Sequence, residues 1–163
     1  MKEYTSHLVR STEMIFEEEA HLDLKRKDIE RKNELAPAKP ITIVIGVSGS
    51  VNGQIVFSME RDFAYLVTEA MMVNGNPDEV GQMVNSAICE IANMITGRAT
   101  IEWAGDDGRI TVTPPAIFID SDMEAEFLQV PTVSLNFASE IGALEIDLAL
   151  QAEDERGSRC TEE

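Results

Sequence analysis

The chain is 163 residues long, enough to bury a core of its own as a single domain. With 44% hydrophobic and 26% charged residues it has the composition of a packed globular protein, not of a disordered tail or a collagen-like repeat. Its 30 acidic residues against 13 Lys plus Arg give a net charge of -17, a field that repels phosphate backbones and anionic lipid, so neither nucleic acid nor a membrane surface is an expected partner.

An acidic surface serves solubility, and it can also steer a basic patch on another protein. Cys89 and Cys160 are far apart and show no CxxC, zinc-ligand or disulfide-framework spacing, which fits a reducing cytoplasm. The opening residues from Met1 to Ser6 lack the apolar core and cleavage pattern of an export signal, and no run approaches the ~18 apolar residues a membrane span needs. A soluble cytoplasmic protein is expected.

In chain order, strong helix formers from Ser6 to Glu30, with apolar positions at Leu8, Ile15, Phe16, Leu22 and Leu24, predict an amphipathic helix that Pro37 and Pro40 bring to an end. The β-branched run Ile41 to Val47 and the segment Gln54 to Ser58 predict a hairpin turning at Asn52-Gly53, a pair suited to positive φ. Phe63, Leu66, Val67, Ala70 and Met71 recur at helical spacing and predict a short helix of ~12 residues.

The next helix has the clearest start in the chain. Asn76 can cap it, Pro77 suits its first turn, and Asp78 and Glu79 complement the positive end of its dipole. It is predicted from Pro77 to about Gly97 or slightly beyond. After it the pattern turns extended over Ile110 to Thr113, Ala116 to Ile119, Glu126 to Val130, Val133 to Phe137 and Ala143 to Leu150, with a polar, frayed tail from Gln151 to Glu163. Helices grouped early and strands grouped late predict an α+β fold, an antiparallel or mixed sheet covered by helices.

On the Pro77 helix, Val80, Met83, Val84, Ala87, Ile88, Ile91, Met94 and Ile95 form an apolar stripe that reads as core. Ser86, Glu90, Asn93 and Gly97 fall on a second, lateral stripe at i, i+4, i+7 and i+11. A carboxylate and a carboxamide three residues apart set a charge beside a two-way hydrogen-bonding group, a pair able to hold a cation and a water. Gly97 either clears space for an approaching partner or caps the helix. The Glu-x-x-Asn spacing alone is weak, since Glu30 and Asn33 repeat it, but only the second copy has Ser86 four residues earlier and prolines at 114 and 115 downstream.

Ser86-Ala87-Ile88-Cys89-Glu90-Ile91-Ala92-Asn93, followed by Met94-Ile95-Thr96-Gly97 and by Pro115 twenty-two positions past Asn93, resembles the signature of the CheC/CheX/FliY phosphatases. The glycine-marked run Gly46-Val47-Ser48-Gly49 through Gly53-Gln54-Ile55 is also similar to the family's hairpin, and the resemblance covers roughly residues 5 to 150. Cys89 departs from the pattern, where many members carry a small residue. The CheC branch has two motifs; Glu30 and Asn33 have Arg26 where the signature wants Asp or Ser, so a one-site, CheX-like chain is expected.

The resemblance implies a phosphatase acting on the aspartyl phosphate of a CheY-like response regulator. Glu90 would dock on the regulator's lysine and Asn93 orient the attacking water, with Ser86, Gly97 and Pro115 in support. No cofactor is expected in this chain, Mg²⁺ being carried by the regulator. A homodimer formed through the sheets is implied as well, against a monomer whose edges are blunted by acids such as Glu145 and Asp147. Two other readings stand beside it: a non-catalytic module that binds the regulator, and a structural component of a flagellar switch. His7 and His21, fourteen apart among acidic neighbours, read as a solvated face and not as metal ligands. Trp103 reads as core or as an interface anchor.

Overall fold

The computed structural model describes residues 1–37, 39–106, 108–120 and 129–152. Its elements run α1 (Lys2–Ala20), β1 (Lys25–Lys32), β2 (Ile41–Gly49), β3 (Val51–Met59), α2 (Arg61–Met71), α3 (Pro77–Ala104), β4 (Ile110–Val112), β5 (Ala116–Ile119), β6 (Thr132–Ser139) and β7 (Gly142–Ala152). The seven strands form one sheet in the order β1-β6-β7-β3-β2-β4, with β5 also on β2, and every pairing is antiparallel. The α+β expectation holds.

Alternation along the strands explains the layering. Ile41, Ile43, Ile45 and Val47 of β2, Ile55 and Phe57 of β3, and Leu144, Ile146 and Leu148 of β7 point to one side, where they bury against Phe16, Phe63, Ile88 and Ile95 of the helices. The sheet's other face carries a smaller cluster of Leu35, Val56 and Ala149, with Val44 and Val130 against it. Leu35 lies in the connection that must cross from edge strand β1 to β2, and Val130 in the one from β5 to β6. Both connections therefore reach the face that the helices leave open.

Three local expectations are corrected. The first helix stops at Ala20, not Glu30: His21 takes a left-handed conformation (φ 51°) and Leu22 N–H turns back to Phe16 O at 3.2 Å. The charged residues from Lys25 to Lys32, good helix formers, are instead held as strand β1 along β6, because cross-strand pairing outweighs local preference. The hairpin turns at Ser50, not Asn52-Gly53; Gly49 has φ 126°, and a Cβ there would lie 1.9 Å from Arg109 O. Asn52 acts through its side chain, accepting from Gly49 N–H at 3.3 Å and donating to Gly49 O at 3.2 Å. Third, Gln129 and Val130 are not strand, while residues 126–128 of that expected strand and 153–163 of the tail lie outside the described residues.

Asp147 of β7 sits on the second face, fully buried. Among the described residues neither of its carboxylate oxygens meets a donor at hydrogen-bond geometry, and Lys32 Nζ is 4.0 Å away. Burial pushes its pKa up to about 6; the Ser134 hydroxyl across the strand pair offsets part of that penalty, Glu145 adds to it, and Lys32 opposes it. A carboxyl whose folded pKa is raised stabilises the fold when neutral, so its contribution is present below about 4 and lost as the pH rises through about 6. Relative to Asp147→Asn, the wild-type protein should lose roughly 2 to 3 kcal/mol of stability between pH 4 and pH 7 in urea unfolding. Parallel stability curves for the two proteins would remove Asp147 as the source.

Candidate functional site

The site is built on α3, which the sequence starts firmly. Asn76 Oδ1 accepts from Glu79 N–H at 3.0 Å, and the Glu79 carboxylate accepts from Asn76 N–H at 3.3 Å, a reciprocal capping box with Pro77 in the first turn. The far end is tied down too. Trp103 is buried, donates from Nε1 to Tyr4 O at 3.1 Å and meets the Tyr4 ring edge-on at 5.2 Å, so it is core. Arg98 and Glu18 link α3 to α1 at 3.3 Å.

Between these anchors Val80, Ile88, Ile91, Ala92, Ile95 and Ala99 are buried. Ser86, Glu90 and Asn93 are exposed and Gly97 is half-buried, so the expected polar stripe does face outward. Among the described residues neither Glu90 nor Asn93 has a hydrogen-bond or ion-pair partner, which leaves both groups available. Gly97 is not a cap, since α3 continues to Ala104, and a Cβ there would meet nothing within 4 Å. Pro115 is half-buried in the link between β4 and β5, and both of those strands touch α3.

The second Glu-x-x-Asn pair is not assembled. Glu30 is on β1 and Asn33 follows it, so the three-residue spacing that joins side chains on a helix has no such effect there. Cys89 is half-buried and its thiol pKa is raised by that burial, which disfavours a nucleophilic thiolate. His7 is on α1 and His21 at its C-terminal end.

Sequence reasoning missed part of this surface. Met83, read as core, is 45% exposed, and Ile101 is 75% exposed. At 100° per residue both fall on the Glu90 stripe, seven positions before and eleven after it. The signal was present in the spacing, but an apolar residue at helical period looks like core until the packing partners are known. The resulting strip is a polar pair flanked by exposed apolar side chains, a form suited to docking a protein surface around a small polar centre.

The family model for the chemotaxis phosphatase CheX matches residues 41–138. The CheY-P phosphatase CheX of Thermotoga maritima is 26% identical over 84 residues, covering 52% of this chain and 54% of that protein, so the chain matches about half the length of that curated relative. Among solved structures, the chemotaxis protein CheX of Desulfovibrio desulfuricans superposes with a TM-score of 0.77 at 18% identity, covering 93% of this chain and 99% of that one. The CheX-CheY-BeF3-Mg²⁺ complex from Borrelia burgdorferi superposes with a TM-score of 0.72 at 17% identity, covering 91% and 97%. At such identities the structures attest the fold.

With open space at its Cβ position, Gly97→Ala should stabilise the protein by about 0.5 to 1 kcal/mol, the helix-interior cost of glycine. A raised urea midpoint is the expected reading; a lowered one would show that α3 needs the glycine for its own packing.

Proposed function

The chain belongs to the CheX family of chemotaxis phosphatases, and from that premise we propose that it hydrolyses the aspartyl phosphate of a CheY-like response regulator at the Glu90/Asn93 stripe. The observation that carries the reading is the outward, unpartnered placement of Glu90 and Asn93 on a helix held at both ends. The Mg²⁺ and the lysine beside the acyl phosphate belong to the regulator, and the aspartate is the leaving group. Such a reaction asks its catalyst chiefly for an in-line water. The Asn93 carboxamide can accept from that water and donate to a phosphoryl oxygen, while the Glu90 carboxylate pairs with the regulator's lysine and sets the register of docking. Ser86 borders the contact, Pro115 shapes the loop beside it, and Gly97 lets the regulator's backbone come close.

Asn93→Ala should slow stimulated phosphate release by on the order of 10²-fold with the fold intact. Near-normal release would take Asn93 out of the mechanism. Glu90→Ala should weaken regulator affinity as well as rate, and Asn33→Ala should change neither. Regulator binding with no acceleration of release in the wild-type protein would favour a non-catalytic binding module. Gly97→Ala, stabilising in itself, should reduce release if the regulator approaches there.

We also propose a two-fold homodimer joined at a sheet edge, with the α3 stripes left open. β7 is interior, paired on both sides, so the free edges are β1 and the pair β4 and β5. Self-pairing of β1 would bring two sets of five cations, Lys25, Arg26, Lys27, Arg31 and Lys32, together with only Asp28 and Glu30 of each copy to offset them. The β4 and β5 edge is uncharged, with Ile119 38% exposed, and is the edge two copies can share. Sedimentation at micromolar concentration should give twice the monomer mass; a clean monomer would reject the dimer.

A further inference from the structure

Five of the 13 Lys and Arg residues of this acidic chain are packed into the eight residues of β1, an edge strand that no described strand pairs on its outer side, although its Arg26 N–H donates to the Glu13 carboxylate of α1 at 3.2 Å. Two of them are occupied: Lys25 lies 3.4 Å from Asp23, and Lys32 3.5 Å from Glu145. Register with β6 sets Arg26 opposite Phe137, Ile29 opposite Leu135 and Arg31 opposite Val133, so these three residues share the helix side of the sheet. There they line a cavity of about 380 Å³ together with Lys2 and Val9 of α1 and Val133 of β6. None of the lining residues is acidic, Ile29 is 47% exposed, and Lys2, Arg26 and Arg31 have no ion-pair partner among the described residues.

Cations alone on an edge strand protect it from self-association. They do not call for an apolar hollow between two free arginines. We propose that this edge is a docking site for a short extended acidic segment of another protein, which joins the sheet beside β1 as an added strand. Main-chain hydrogen bonds to the open edge provide the attachment, and side chains of alternate residues provide selectivity. An incoming strand that follows the bulge between Arg26 and Asp28 as β6 does meets Arg26, Ile29 and Arg31 at evenly alternating positions. The fitting pattern is therefore acid, any residue, apolar, any residue, acid, with the apolar side chain in the hollow at Ile29. A second copy is disfavoured at this edge by like charge. Extended polyanions such as membranes or nucleic acid are disfavoured by the net charge of -17, whereas a short segment meets only the local field.

The test uses the full chain and a fluorescein-labelled, amidated peptide of sequence Thr-Glu-Thr-Ile-Thr-Glu-Thr, followed by polarisation. Saturable binding is expected, weakened about tenfold or more when Gln replaces both peptide glutamates, when alternate peptide amides are N-methylated, and in Arg26→Glu/Arg31→Glu. The two peptide controls act on the wild-type chain, so they keep their force if the double variant fails to fold. No saturation up to about 1 mM peptide overturns the proposal, as does equal binding of the N-methylated or Gln peptide. Binding of phosphatidylglycerol vesicles in place of the peptide also overturns it, and assigns the cations to a lipid surface.

Discussion

The arrangement of this protein follows from how α3 buries one face. Ile88, Ile91, Ile95, Ala99 and Trp103 must leave water, each large aliphatic or aromatic side chain contributing roughly 2 kcal/mol on burial, and the apolar surface that receives them is the sheet with α1 and α2 beside it. A helix has no freedom to rotate once that face is committed. Turning α3 by one residue, ~100°, would expose isoleucines and press Glu90 toward the core without a partner, where an unpaired charge costs several kcal/mol. The outward direction of Ser86, Glu90 and Asn93 is thus set by residues on the opposite face.

The ends of α3 complete that constraint. The capping box at Asn76 and Glu79 satisfies backbone donors that the first turn leaves open, and the Trp103 bond to Tyr4 fixes the last turns against α1. A rigid helix of 28 residues, about 42 Å at 1.5 Å per residue, can then present Met83, Glu90, Asn93 and Ile101 as one strip. Such preorganisation suits the proposed reaction, in which most of the reacting groups come with the partner.

The sheet divides the rest of the surface by chemistry. Its helix-facing side is aliphatic, while its second face, reached by the connections that carry Leu35 and Val130, tolerates Ser58, Ser134 and a buried Asp147. The two edges differ as sharply. β1 is crowded with cations, and β4 and β5 are uncharged, so the edges cannot serve the same partner.

Much of this was legible in the chain itself. The helix from Pro77, its cap, the outward Ser86, Glu90, Asn93 stripe, the two hairpin strands and the late strands from Val133 and Ala143 all carry strong local signals: a capping residue before a proline, apolar positions at period 3.6 or period 2. The Glu90-x-x-Asn93-Met94-Ile95 run with its flanks also carried the family. Local signals failed wherever a distant segment decided the outcome. Lys25 to Lys32 has the composition of a helix and becomes a strand only because β6 offers it a ladder. Gly53 looks like a turn and lies inside β3, held between Val47 of β2 and Leu150 of β7, and the reversal takes place at Ser50. Met83 and Ile101 are apolar side chains of a core helix and yet stand exposed on the Glu90 stripe, and the hollow at Ile29, whose described lining carries no acid, forms between α1 and β1. Periodicity and capping are properties of neighbours in sequence, readable from one strand of text; which face of an element finds a partner depends on what the fold brings against it from a hundred residues away.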